Sequence, residues 1–125
     1  MIVLDASALL ALLRRETGSQ HVADHLDSGA VSAVNWSEVL QKVAKAGGDV
    51  DSTADRLRVL GVRVHEFTVA DAAEAARLFP ITQSGGLSLA DRACLALARR
   101  LQVTAMTADK AWGAVDAGVT VEVIR

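Results

Sequence analysis

Four acidic residues stand where apolar segments of this chain give way to turns or helix starts. Asp5 interrupts IVLDASALLALL, Glu38 lies in SAVNWSEVL, Asp91 in LSLADRACLALA and Asp109 in VTAMTADKAW. A carboxylate with such neighbours is costly to bury unless something compensates its charge. Each acid also has an ordinary explanation in helix capping. Asp is a favoured N-cap residue, which suits Asp5 before a helix from Ala6 and Asp109 before a short helix. Asn35-x-x-Glu38 and Ser88-x-x-Asp91 have the spacing of capping boxes, and first-turn acids complement the helix dipole. Lys42, one turn beyond Glu38, offers that acid a partner. Capping does not explain the apolar setting that all four share. Ala90, Ala93, Cys94, Leu95, Leu97 and Ala98 place Asp91 at the edge of a dry helix face.

Four carboxylates at one edge repel one another unless a cation neutralises them. An all-oxygen donor set, with no Cys or His in the pattern, suits Mg²⁺ or Mn²⁺. Such an ion keeps waters, binds phosphate oxygens and activates an attacking water. The chemistry these acids point to is therefore metal-dependent phosphodiester hydrolysis, with no general-base His required.

The acids meet only if the segments around them fold as alternating strands and helices. Residues 2–5, 30–34, 62–67, 103–106 and 119–124 read as strands. Residues 6–15, 18–27, 35–46, 49–60, 68–79 and 88–101 read as helices, with a short one at 109–115. Trp36, Val39, Leu40, Val43 and Ala44 make the apolar face of the 35–46 helix, and Gly47-Gly48 ends it. Thr68 and Asp71 form a capping-box start. Pro80, the only proline, stops the helix before it, and 82–86 (TQSGG) reads as a flexible loop. Alternation of this kind predicts a three-layer α/β/α sandwich around a mainly parallel sheet covered on both faces. Ligands of open parallel sheets bind beyond the carboxyl ends of the strands. Asp5, Glu38 and Asp109 follow strands, and Asp91 reaches the same edge.

Composition narrows the alternatives. The 125 residues are 51% hydrophobic, which predicts one packed domain spanning 1–125. The single cysteine, Cys94, rules out an internal disulfide, reads as core, and fits a reducing cytoplasm. No apolar run reaches the roughly 18 residues of a membrane span, and no basic n-region marks a signal peptide. The net charge of −2, 3% aromatic residues and absence of Tyr argue against a global attraction to nucleic acid or a base-stacking platform. His21 and His25 sit one helical turn apart, but no third zinc ligand follows at a telling distance, so they read as a solvated helix face. Gly85-Gly86 reads as a loop.

The four motifs, in their order and spacing, make the chain resemble the PIN domain, and within it the VapC-type toxins of bacterial toxin–antitoxin modules. The resemblance runs over essentially the whole chain. It implies a Rossmann-like sandwich and a Mg²⁺- or Mn²⁺-dependent endoribonuclease. By position, Asp5, Glu38, Asp91 and Asp109 become the acidic quartet. Asp5 and Asp91 are then direct metal ligands, while Glu38 and Asp109 bind through water or hold a second ion. Ser7, two after the first acid, and Thr107, two before the last, become hydrogen-bond partners of the carboxylates. Arg14 and Arg15 become candidate contacts to RNA phosphates. A homodimer and a cognate antitoxin, VapB-like and DNA-binding, are also implied.

Physics adds an expectation for that partner. A carboxylate cluster that attracts a metal also attracts a guanidinium, so the antitoxin is expected to place an Arg among the four acids. Leu9, Leu10, Leu12 and Leu13 with the Trp36 helix are expected to supply an apolar groove for the rest of it. Two rivals fail on residues. A phosphoacceptor receiver needs an Asp where strand three ends in Glu66-Phe67, and an aspartate-nucleophile phosphatase needs an Asp where Ser7 stands. A non-catalytic interaction or signalling module whose acids merely cap helices stays open.

Overall fold

Ile2, Val3 and Leu4 are all apolar because they form the central strand of a sheet buried on both faces. The computed structural model describes all 125 residues. Strand β1 (Ile2–Leu4) lies between β2 (Gly29–Ser32) and β4 (Thr104–Thr107), with β3 (Arg63–His65) and β5 (Val121–Val123) at the edges. The order is β3-β2-β1-β4-β5 and every pairing is parallel. Alternation sends Ile2 and Leu4 to one face and Val3 to the other. On the first face, Ile2, Leu4, Val31 and Met106 pack with Leu9, Val22, Trp36, Val39 and Leu57. These come from α1 (Ala6–Leu13), α2 (Ser19–His25), α3 (Ala33–Lys45) and α4 (Val50–Val59). On the second face, Val3, Ala30 and Ala105 pack with Leu78, Leu95, Leu97 and Trp112. That layer contains α5 (Val69–Arg77), the short α6 (Phe79–Thr82) and α7 (Leu89–Leu101). The arrangement is the three-layer α/β/α sandwich expected from the alternation.

The chain steps outward from β1 through β2 to β3, then returns through α5 to α7 and lands on the other side of β1 as β4. Strand order therefore reverses between β1 and β4, where a parallel sheet opens its crevice. Asp5 and Thr107 stand at these two carboxyl ends. Helix α7 packs on β1, β2 and β4, and its residues Ala93 to Ala98 are all buried.

Several boundaries differ from the expectation, each for a local reason. Helix α3 starts at Ala33 because the Ser32 hydroxyl caps it, accepting the Val34 N–H at 3.3 Å. Asn35 is thus inside the first turn and forms no capping box with Glu38. Helix α5 ends at Arg77, and Pro80 lies in the first turn of α6, where its missing N–H costs nothing. Residues 83–85 form a tight 3₁₀ turn closed by Gly86 at φ +69°, in place of an open loop. A second 3₁₀ turn, Leu26–Ser28, continues α2, and a third, Lys110–Ala114, takes the place of a helix after β4. Before α2, Gly18 sits at φ +92°, and a Cβ there would lie 2.6 Å from the Ile124 carbonyl oxygen. No helix is long and apolar enough to cross a membrane.

Candidate active site

Asp5 is held from three sides. Its N–H bonds to the Met106 carbonyl at 3.1 Å, extending the β1–β4 pairing by one residue. Its Oδ1 accepts the Ala8 N–H at 2.8 Å and so caps α1. The Ser7 hydroxyl donates to Oδ1 at 2.7 Å, and the Thr107 hydroxyl donates to Oδ2 at 2.6 Å. Ser7 Oγ in turn accepts the Ala108 N–H, and Thr107 Oγ1 accepts the Asp109 N–H. Two hydroxyls thereby join the end of β1 to the end of β4 with the carboxylate between them. Only 3% of Asp5 is exposed. Burial pushes its carboxyl up from 3.8 to about 6, the nearby charge of Asp91 adds to the rise, and the bonds from Thr107, Ala8 and Ser7 restrain it.

Helix α3 brings Glu38, half-buried, to the same edge. Burial raises its pKa, as does the charge of Asp91, while a hydrogen bond from Asn35 and the charge of Lys42 lower it. Asp91 opens α7 in a reciprocal capping box: Ser88 N–H donates to its Oδ2 at 2.9 Å and its own N–H donates to Ser88 Oγ at 3.1 Å. Asp91 therefore lies within electrostatic reach of both Asp5 and Glu38. Below them is Cys94, fully buried, whose thiol is pushed well above its ordinary value first by burial and then by these same three acids. It is core and stays protonated.

Asp109 is different. It is exposed, it caps the 3₁₀ turn by accepting the Ala111 N–H at 2.9 Å, and its charge does not figure in the shifts of Asp5 or Glu38. It stands at the rim. In this arrangement no three His, Cys, Asp or Glu side chains converge tightly enough to enclose an ion. The bonds show why: Asp91 and Asp109 are turned into their capping contacts.

The donor chemistry nevertheless fits a hard divalent cation. Two aspartates of this chain are almost equally buried, Asp5 at 3% and Asp71 at 4% exposure. Asp71 is paired with Arg100, whose Nε lies 3.0 Å from its Oδ1. Burial raises its pKa, but the bonds from Arg100 and Thr68 outweigh that and hold it below the usual carboxylate value. Asp5 has no such partner, and none of Glu38, Asp91 or Asp109 joins an ion pair. Of these two buried aspartates only Asp5 lacks a counter-charge, and its surroundings are oxygen donors. Its bonds come from three groups, against about four lone-pair sites on a carboxylate.

The remaining candidates separate. Arg14 and Arg15 are exposed at the far end of α1, about 14 Å from Asp5 at 1.5 Å per residue. Arg14 shares a groove with Lys42, Leu10 and Val43. Arg15 turns to another, with Asp27, Leu12, Leu13, Leu26, Leu57 and Leu60. Leu9 is wholly buried in the core and lines neither groove, a correction to the apolar surface expected of α1. Trp36 is 8% exposed, with the Arg58 guanidinium 5.6 Å from its ring centre. His21 pairs with Glu122, and His25 hydrogen-bonds the His21 carbonyl. The one site-adjacent residue that sequence reasoning passes over is Asn35; its place three before Glu38 is visible in the sequence but reads there as a cap.

The family model of the PIN domain matches residues 2–118. The chain belongs to the PIN domain family. No curated protein matches it by sequence. Solved structures of toxins and toxin–antitoxin complexes share its fold. A toxin–antitoxin complex from Klebsiella pneumoniae is 17% identical, with 100% of this chain and 98% of that one covered and a TM-score of 0.76. VapC20 of Mycobacterium tuberculosis, a toxin that cleaves the sarcin-ricin loop, is 20% identical over 91% and 94%, with a TM-score of 0.75. VapBC2 of Rickettsia felis, bound to a DNA fragment from its promoter, is 15% identical over 100% of both chains, with a TM-score of 0.73.

Proposed function

We propose that this PIN domain is a Mg²⁺- or Mn²⁺-dependent endoribonuclease, the toxin of a type II toxin–antitoxin module. The observation that carries the reading is Asp5: a deeply buried carboxylate with no counter-charge, while Asp71, as little exposed to solvent but nearer the surface, has Arg100. Such a group calls for a cation supplied from outside the chain. Asp5 and Asp91 hold the ion directly, and Glu38 and Asp109 act through water or a second ion. A metal held there would supply positive charge against the phosphodiester and Lewis acidity toward the attacking water. Ser7 and Thr107 fix the orientation of Asp5 and stabilise its charged form by donating to it. Arg14, beside Lys42, is the better placed of the two arginines for an RNA phosphate, because it faces the groove next to the Glu38 helix. The toxins among the structural relatives, one of them a ribonuclease by its cleavage of the sarcin-ricin loop, support the same reading.

The partners follow from it. A DNA-binding, VapB-like antitoxin lays an apolar segment along the groove between α1, α2 and α4, and the toxin acts as a homodimer in the cytoplasm. The second reading, a non-catalytic module, draws on the capping bonds made by Asp5, Asp91 and Asp109. It leaves two things unexplained. Asn caps as well as Asp without burying a charge, and Glu38 caps nothing. Expression in bacteria separates the two: the wild-type chain arrests growth and Asp5→Asn does not. Equal toxicity of a folded Asp5→Asn protein removes the metal role of Asp5.

A further inference from the structure

Asn35 is fully buried at the junction of α3 and α7. Its Nδ2 donates to Glu38 Oε1 at 3.1 Å and to the Ala90 carbonyl at 3.0 Å. The two amide protons thus reach the carboxylate of one site acid and the residue preceding another, Asp91. Its Oδ1 is buried and has no hydrogen-bond partner. This orientation is locked, because a flipped amide would set Oδ1 against a carboxylate and a carbonyl. Helix capping does not account for the residue, since Ser32 caps α3. Stability alone does not account for it either. An orphaned buried carbonyl is costly and offsets what the two donated bonds contribute to stability.

We propose that Asn35 is a positioning residue: its amide fixes the Glu38 carboxylate against the first turn of α7, so that the free oxygens of Glu38 stay on the metal-binding edge beside Asp91, whether they reach the ion through water or hold a second one. The proposal rests on the metal-dependent reading above. It acts through Glu38, so its effect must vanish when Glu38 is absent. That requirement distinguishes positioning from a general packing role, which persists whichever residue stands at 38.

The test is Mn²⁺ binding to the purified full chain, read by the EPR signal of free Mn²⁺, with no RNA present. Asn35→Leu is a bulkier apolar replacement that donates nothing; Asn35→Ala is the smaller companion that avoids any clash. Each is measured with Glu38 intact and in a Glu38→Ala background, together with metal-free melting curves. The expected result is a Kd about tenfold weaker with Glu38 present, the scale for lost outer partners of metal ligands. In the Glu38→Ala background the same substitutions leave the Kd unchanged. Loss of affinity by the same factor in both backgrounds overturns the proposal, as does an unchanged Kd with Glu38 intact. A wild-type chain that takes up no Mn²⁺ defeats the metal reading itself and the positioning role with it.

Discussion

The effect of replacing Asp5 by Asn reverses sign with pH and with metal. The Asp5 carboxyl has its pKa at about 6 in the fold against 3.8 ordinarily. At about 1.4 kcal/mol per tenfold change, that gap is about 3 kcal/mol. The sign follows from linkage. The folded state holds the proton more tightly, so no penalty exists below the ordinary value. It grows as pH rises from there through 6 and is complete above. Metal-free wild type therefore loses about 3 kcal/mol between about pH 3.5 and 7.5 from this group alone. The amide introduced by Asp5→Asn keeps an oxygen for the Ala8 N–H but sets its NH₂ against a hydroxyl that must turn, at about 1 kcal/mol. The net gain at pH 7.5 is about 2 kcal/mol, or about 8 °C in melting temperature at roughly 4 °C per kcal/mol for this length. Saturating Mn²⁺, at about a hundred times its Kd, adds about 2.7 kcal/mol to wild type and little to the variant. The assay is thermal unfolding in EDTA and in Mn²⁺ at pH 4, where the remaining penalty on wild type falls below the cost of the amide, and at pH 7.5. A variant that is less stable by the same amount at both pH values, with wild type indifferent to Mn²⁺, refutes the reasoning and leaves Asp5 as a cap.

Thr107→Val removes the 2.6 Å donor that favours the Asp5 charge. It should cost about 2 kcal/mol in urea unfolding at pH 7.5 and clearly less at pH 4.5, where Asp5 is protonated. Arg100→Ala strips the partner from buried Asp71. The half-exposed arginine reduces the loss from the about 3–5 kcal/mol of a fully buried pair to about 1–2 kcal/mol. Since the Asp71 pKa is lowered in the fold, that stability is present above the ordinary carboxylate value and fades as pH falls through the lowered one, which a pH series of melts will display. Arg15 closes α1 at φ +54°, a left-handed conformation costly for a side-chain-bearing residue. Arg15→Gly should therefore stabilise the chain by about 0.5 kcal/mol in urea unfolding, after the greater unfolded-state freedom of glycine is subtracted.

Much of this architecture is legible in residue order because period and composition act locally. Ile2-Val3-Leu4, apolar on successive residues, states that both faces of the strand are covered. Ser88 and Asp91 state where α7 begins. The places where reading fails are decided by contacts between distant segments. Ser32, at the end of β2, outcompetes Asn35 as the cap of α3, and only the packing of α7 on α3 gives Asn35 its second acceptor at Ala90. Leu9 reads like its neighbours Leu10, Leu12 and Leu13, yet the angle at which α1 meets the sheet buries it alone among them completely. The four acids are visible in sequence. Their unequal standing, with Asp5 sunk between β1 and β4 and Asp109 on the rim, depends on strand order, which no local pattern records.

The most direct measurement is digestion of total bacterial RNA by the purified chain, with the new 5′ and 3′ ends mapped by sequencing. A metal-dependent endoribonuclease built on Asp5 gives discrete internal cuts in Mg²⁺ or Mn²⁺, none in EDTA, and none with folded Asp5→Asn in either ion. Cuts that persist undiminished in EDTA or with Asp5→Asn, or a folded, toxic chain that leaves RNA intact with both ions supplied, contradict it.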